Sequence, residues 1–304
     1  MRYALMTMVV FSTAIGHATI TGQWDFNSSN LNATIGTALS YRGDTSNGTV
    51  FTTSTIGGQT AHVMGFPAAT PTQGYVMPHG IAPNGGGSYV NQYTLIMDVM
   101  FPAASSGQWR ALLQTSDVNT NDSDLFVNNG NGIGISGIYT GTIVADTWHR
   151  VAFVFDLTLG TARLRKFIDG ALVGTQDLSV GVDGRWSMYP TALLFTDEDN
   201  ETRAGWVNSI QIHNLALPDG YIAALGGATA NGIPLTTNGP AYEQYDFNGN
   251  LNSSVGGNPL TVGFAAPAVS AGVTYSNVTI AGGAAQAAAF TRGTFFSLVH
   301  GLEA

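Results

Sequence analysis

Apolar residues recur at every second position along much of this chain, the period of a β-strand, and that pattern constrains the fold more than any other feature. Tyr93, Leu95, Met97, Val99 and Phe101 share one face of such a strand. Residues 151–155 are apolar on both faces, as expected of a strand central to a sandwich. Residues 163–168 and 171–175 flank Asp169-Gly170, a pair suited to the positive φ angles of a tight hairpin turn. Residues 206–213 read as a strand with Trp206, Asn208, Ile210 and Ile212 on one face. Residues 218–225 then offer one short helical turn closed by Gly226-Gly227. Many short strands without strand–helix alternation predict an all-β fold, an antiparallel sandwich of jelly-roll type.

Composition narrows the function classes. The 304 residues include 39 glycines and no cysteine, and ten Lys and Arg stand against nineteen Asp and Glu. A net charge of −9 gives no footprint for a nucleic-acid backbone or an anionic membrane. Lys166 is the sole lysine and follows Arg165, which removes a phosphate-binding P-loop. Without cysteine there is no thiol catalysis, thiolate metal site or disulfide. Arg2, the apolar run 3–15 and the small residues Gly16 and Ala18 read as a signal peptide over residues 1–18. That run is too short to span a bilayer, and no later stretch could cross one, so the mature chain is expected without a membrane span. The expected location is secreted, periplasmic or cell-surface.

An internal repeat sets the domain map. Gln23-Trp24-Asp25-Phe26-Asn27, with Asn30-Leu31-Asn32 and Gly36, recurs as Gln244-Tyr245-Asp246-Phe247-Asn248, with Asn250-Leu251-Asn252 and Gly256. Ile56-Gly57-Gly58 with Phe66 resembles Ile280-Ala281-Gly282-Gly283 with Phe290, and His79-Gly80-Ile81 resembles His300-Gly301-Leu302. The expected organisation is a first domain over 19–227, a Gly/Pro-rich linker over 228–240 and a truncated second copy over 241–304.

Four stretches carry a resemblance to a known family. They are Trp24-Asp25-Phe26, Trp148-His149-Arg150-Val151-Ala152, Phe167-Ile168-Asp169-Gly170, and the run 206–212 before Leu215, Leu217 and Ile222. In this order and spacing they resemble the laminin-G-like branch of the concanavalin A-like lectin/glucanase sandwiches of exported bacterial proteins. The resemblance implies a jelly roll, a binding role more than a reaction, and calcium at the sandwich rim. In related chains such a module accompanies a catalytic domain, sometimes a phosphoesterase.

Two acidic clusters stand out. Asp197, Asp199 and Glu201 alternate, and on a strand they would share one face at about 6–7 Å steps, near the spacing that retaining glycoside hydrolysis uses. The interleaved Glu198 and Asn200 are polar, which suits a loop better than a cleft strand. Asp117, Asn119, Asp122 and Asp124 form an oxygen-rich stretch without EF-hand spacing, readable either as a calcium site or as a solvated turn. Trp109, Tyr139, Trp186 and Tyr189 are the aromatic candidates for stacking on a sugar face.

Gly132, Gly134 and Gly137 match a dinucleotide fingerprint, but the strand-like residues 138–144 follow where a helix is required. The expected function is a non-catalytic recognition or spacer module binding glycan or extracellular protein, with structural calcium. The alternatives are a glycan hydrolase using Asp197 and Glu201, or an accessory domain of a larger exported hydrolase.

Overall fold

The computed structural model describes residues 18–118 and 124–235, together with the backbone of four later strands. Residues 1–17 of the proposed signal peptide, residues 236–240 and most of the second copy lie outside the described residues.

Residues Ala18–Tyr242 group as one compact unit built from two antiparallel sheets. Numbering strands in chain order, the larger sheet runs β13 (Ala171–Gln176), β12 (Leu164–Ile168), β11 (His149–Asp156), β6 (Gln92–Met100), β15 (Gly205–His213), β4 (Gln59–Phe66) and β3 (Val50–Ile56). The strand β1 (Ile20–Trp24) also pairs with β15. The smaller sheet runs β10 (Ile138–Thr140), β9 (Ile133–Ile135), β8 (Leu125–Val127), β7 (Arg110–Gln114), β14 (Ala192–Leu194), β5 (Gly74–Met77) and β2 (Ser40–Arg42). The all-β sandwich expected from the two-residue period is the architecture observed.

The core lies between the sheets. Tyr93, Leu95, Met97 and Val99 of β6 and Val151, Phe153 and Phe155 of β11 pack there with Leu113, Leu125, Val127 and Leu194 of the smaller sheet. Each such side chain contributes about 1.5–3 kcal/mol by leaving water. The hairpin joining β12 to β13 turns at Asp169 and Gly170, with φ of 51° and 82°, and pairs Ile168 with Ala171 as its turn residues predict.

In β15 an interruption of alternation changes which residues reach the core. The pairing of β15 with β6 shifts register between Val207 and Ser209, a β-bulge at Asn208. Val207, Ile210 and Ile212 therefore join the central core, while Trp206 packs near Ile56, Ala61 and Val63. The expected face of Trp206, Asn208, Ile210 and Ile212 is corrected: one extra residue reverses the direction of those before it.

The other face of the larger sheet is also covered. Ile96, Ala152, Val154 and Phe167 pack against Leu217, against Tyr221 and Ile222 of the short helix α1 (Asp219–Leu225), and against Ile233. Residues 228–235, read from composition as linker, follow this face as a strap. Asn208 donates to Thr229 O at 2.8 Å, Arg150 to Gly232 O at 2.9 Å, Gln23 to Ile233 O at 2.9 Å and Gln211 to Pro234 O at 3.1 Å. Buried donors on the sheet, not the strap's own residue types, hold it in place.

The later strands belong to a second unit. β16 (Thr261–Phe264) pairs with β19 (Thr294–Ser297), and β17 (Val273–Ile280) with β18 (Gly283–Phe290). Their registers match those of the first copy. Tyr41 opposite Tyr75 and Arg42 opposite Gly74 correspond to Val262 opposite Phe296 and Gly263 opposite Phe295. Val50 opposite Gly65 and Ile56 opposite Gln59 correspond to Thr274 opposite Ala289 and Ile280 opposite Gly283. The repeated sequence thus carries the same strand pairings.

Candidate functional site

At the start of β7 the smaller sheet sets an aromatic group beside an acidic loop. Ala111 pairs with Phe126, Phe126 with Gly134 and Gly134 with Tyr139, one row across four strands. Arg110 turns toward the core, its guanidinium carbon 5.0 Å from the centre of the Phe101 ring, so alternation sends Trp109 and Ala111 to the other face. There Trp109 meets Phe126 edge-on at 5.4 Å and Tyr139 at 5.2 Å between ring centres. Phe126 is buried beneath them, whereas Trp109 and Tyr139 remain partly exposed. On the other side of Ala111 its N–H donates to Glu201 O at 2.8 Å. With strands about 4.8 Å apart, Glu201 and Phe126 are separated by roughly two strand spacings.

The acidic loop joins β14 to β15, and residues 196–204 form no strand. Phe195 anchors its start by stacking flat on Phe66, ring centres 3.8 Å apart. The Thr202 hydroxyl donates to Ala69 O at 2.6 Å, Ser105 donates to Ala204 O at 2.6 Å, and Arg203 donates to Gln108. Asp197 is fully buried, and its Oδ2 accepts the N–H groups of Asp199 at 3.3 Å and Glu201 at 3.2 Å. Carboxylate oxygens of Asp197, Asp199 and Glu201 all lie within 4.8 Å of one another. Asp199 is exposed and Glu201 partly so. Two further oxygens in this stretch, Thr196 Oγ1 and Glu198 Oε2, are buried without a hydrogen-bond partner.

Hydration would keep such carboxyls in their ordinary range or below it. Asp199 departs from that range: its pKa is raised because it shares a hydrogen bond with Asp197, with burial and the repulsion of Asp197 adding to the effect. Crowded carboxyls of this kind are relieved either by a proton or by a cation.

The remaining candidates sit at the other end of β7. Asp124 is buried, with Oδ2 accepting Thr115 N–H at 2.8 Å and Thr115 Oγ1 at 2.7 Å, and Oδ1 accepting Arg185 Nε at 3.0 Å. Asp117 accepts the Thr191 hydroxyl at 2.7 Å. Asn119 and Asp122 lie outside the described residues. Trp186 is corrected from ligand candidate to core residue, since it is only 2% exposed and packs between the sheets. Tyr189 is exposed and stacks on Tyr89, ring centres 4.4 Å apart. Trp109, Tyr139, Asp197, Asp199 and Glu201 are thus brought to one end, and Trp186, Tyr189, Asp117 and Asp124 to the opposite one.

Sequence reasoning passed over Tyr89 and His79. His79 is buried, accepts Ile81 N–H on Nδ1 at 3.0 Å and meets Tyr189 O through Nε2 at 2.5 Å, so it fixes the backbone that carries Tyr189. Its place in the repeated His-Gly-apolar motif was the available signal.

No protein-family model matches this chain, and no curated protein sequence does either. Among solved structures it is similar to domain 4 of AbnA, a GH43 extracellular arabinanase from Geobacillus stearothermophilus, in complex with arabinotriose. There the identity is 17% over 68% of this chain and 98% of that one, with a TM-score of 0.44. It is also similar to the botulinum neurotoxin serotype D binding domain, 12% identical over 89% of this chain and 63% of that one, TM-score 0.44. The serotype D ligand-binding domain in complex with N-acetylneuraminic acid is 13% identical over 81% of this chain and 57% of that one, TM-score 0.46. This chain spans less than two thirds of those two toxin chains. No helix among its described residues is long and apolar enough to cross a membrane.

Proposed function

We propose that this chain is an exported, non-catalytic glycan-binding module of the laminin-G-like kind. In this reading Asp197, Asp199 and Glu201 hold a calcium ion and Trp109 and Tyr139 form the stacking surface beside it. The observation that carries the reading is the position of Ala111, bonded to the acidic loop on one side and paired with the Phe126 that supports Trp109 on the other. Calcium takes six to eight oxygens, so three carboxylates leave coordination positions for backbone oxygens, water or sugar hydroxyls. A pyranose offers both halves of the match: an apolar ring face for an aromatic side chain and hydroxyls for a cation.

The residues fit calcium better than a transition metal, since the grouped donors are oxygens without histidine or thiolate. A glycan-array screen of the full chain with calcium and with chelator tests the proposal. Binding that needs calcium, is lost in Asp199→Ala and weakens roughly tenfold in Trp109→Ala, about 1.4 kcal/mol, is the expected result. Glycan binding indifferent to calcium and to both substitutions would overturn the site, and the absence of any glycan ligand would overturn the function.

A further inference from the structure

The chain carries eleven tyrosines and no cysteine, and the backbone sets two of those tyrosines against one another. Val90 donates its N–H to Met188 O at 3.1 Å and accepts the Met188 N–H at 2.9 Å, an isolated antiparallel bridge between the segments that precede β6 and β14. Beside a doubly bonded pair of an antiparallel ladder comes the closer, non-hydrogen-bonded pair, whose side chains stand together on one face. Tyr89 and Tyr189 occupy that position, and their rings stack with centres 4.4 Å apart and planes 29° from parallel. Both are held from behind. Asp183 accepts the Tyr89 N–H at 3.0 Å, Tyr89 O accepts Asn91 Nδ2 at 3.0 Å, and His79 meets Tyr189 O.

The pair is open to solvent, with Tyr189 42% exposed and Tyr89 partly so. A hydrogen bond between the two side chains, aided by the charge of an ionised Tyr189, holds the Tyr89 phenol above its ordinary range, so it is neutral at neutral pH. Other tyrosines of the first unit are placed differently. Tyr41 and Tyr75 are 5.9 Å apart and tilted by 47°, and Tyr75 is buried with its hydroxyl bonded to Thr49 at 2.7 Å. Tyr93 is buried and donates to Trp186 O at 2.8 Å.

We propose that Tyr89 and Tyr189 are an oxidative modification site, joined within one chain as a dityrosine by hydrogen peroxide acting through a peroxidase. Each phenol gives up one electron and its hydroxyl proton, leaving a phenoxyl radical on each ring. The radicals combine between ring carbons ortho to the oxygens, and the hydrogens on those two carbons then move to the oxygens, restoring both aromatic rings. Hydrogen peroxide takes the two electrons and two protons and leaves as two waters. Facing rings couple faster than radicals that must find a second molecule, because the partner is already in place. The new bond closes the chain over β6 to β13 and constrains the unfolded state as a disulfide would, in a protein that has none.

The test treats the dilute full chain with a peroxidase and limiting hydrogen peroxide, then reads dityrosine fluorescence of the monomer and the masses of its tryptic peptides. The expected product joins peptide 43–110 to peptide 186–203 with the loss of two hydrogens, the bond mapping to Tyr89 and Tyr189, in a yield independent of protein concentration. Tyr89→Phe and Tyr189→Phe keep the stacked rings and are expected to lower the monomer's fluorescence at least tenfold, whereas Tyr41→Phe leaves it unchanged. The oxidised native monomer should melt about 5 °C higher or more, a rise absent from Tyr189→Phe treated in the same way. Cross-links that form only between molecules, a bond mapping mainly to other tyrosines, fluorescence that survives in Tyr189→Phe, or a link that leaves melting where it was would each overturn the proposal.

Discussion

Arg150 and Asp98 form a two-pronged ion pair inside the protein, Nε to Oδ1 at 2.7 Å and Nη2 to Oδ2 at 2.8 Å, with both residues buried on neighbouring strands. The remaining guanidinium donors continue outward to Leu225 O at 2.7 Å and Gly232 O at 2.9 Å. One side chain therefore joins β11, β6, the end of α1 and the strap over the sheet. This gives a structural role to the arginine of the Trp-His-Arg-Val-Ala motif. Removing one partner of a buried pair leaves an uncompensated charge, at a cost of about 3–5 kcal/mol. We expect Arg150→Met to destabilise the first unit by that order in urea unfolding and to accelerate amide exchange over residues 225–235. Unchanged exchange there would show that the strap is held by other contacts.

Lys166 makes alkaline stability a test of the core. It lies on the core side of β12, and its ammonium donates to Ile138 O at 2.8 Å. Burial pushes its pKa down to about 8. The unfolded chain, with an ordinary lysine pKa of about 10.4, binds more protons between those values, so stability rises with pH from about 8 to about 10. Tyr75 and Tyr93, raised by burial, act in the opposite sense above about pH 10, where the unfolded tyrosines ionise first. Melting temperature against pH is expected to climb across that window in the native chain and to be flat there in Lys166→Met.

The fold was legible in the sequence where local chemistry decides it. Asp169-Gly170 marks its hairpin because few other pairs adopt two consecutive positive φ angles, and the alternation in β6 reflects a wholly apolar core on one side against a covered layer on the other that also takes Thr94 and Asp98. Three features escaped that reading. The bulge at Asn208 inserts one residue without a compositional trace. Trp186 has the same type as an exposed sugar-stacking residue, and only the three-dimensional packing buries it. The strap reads as linker because its bonds are made through backbone carbonyls, which any sequence supplies. The recoverable signal lay elsewhere, in Gln23, Asp98, Arg150 and Gln211, polar residues placed in otherwise apolar strands that had to find partners.

Cation binding at the acidic loop is expected to compete with protons. The raised pKa of Asp199 means that this carboxyl takes up a proton at a higher pH than an ordinary aspartate when no cation is present. Calcium titrated by calorimetry should therefore bind more weakly as pH falls through that raised pKa, releasing protons on binding. At a hundred times its Kd, calcium adds about 2.7 kcal/mol to the stability of the folded state. The expected melting shift is present at pH 7.5, reduced in acid and absent in Asp197→Asn. An identical melting curve in calcium and in chelator at both pH values would exclude a cation site of useful affinity.

Hydrolysis of glycans is expected to be absent even where binding is present. A retaining hydrolase needs a carboxylate nucleophile that reaches the anomeric carbon and an acid about 5 Å away on the other side of the bond. The spacing within the trio would allow such a pair, and the raised pKa of Asp199 would suit an acid, so distance and protonation do not decide the matter. Access decides it. Asp197, one of the two carboxylates a hydrolase reading would use, has no exposed surface, and its Oδ2 is directed to the backbone N–H groups of its own loop. A carboxylate held in this way shapes the loop and cannot attack a sugar above it. Reducing-end assays on β-glucans, galactans and arabinans should give no turnover in the native chain. Turnover that disappears in Glu201→Gln while glycan binding and melting temperature persist would reverse the conclusion.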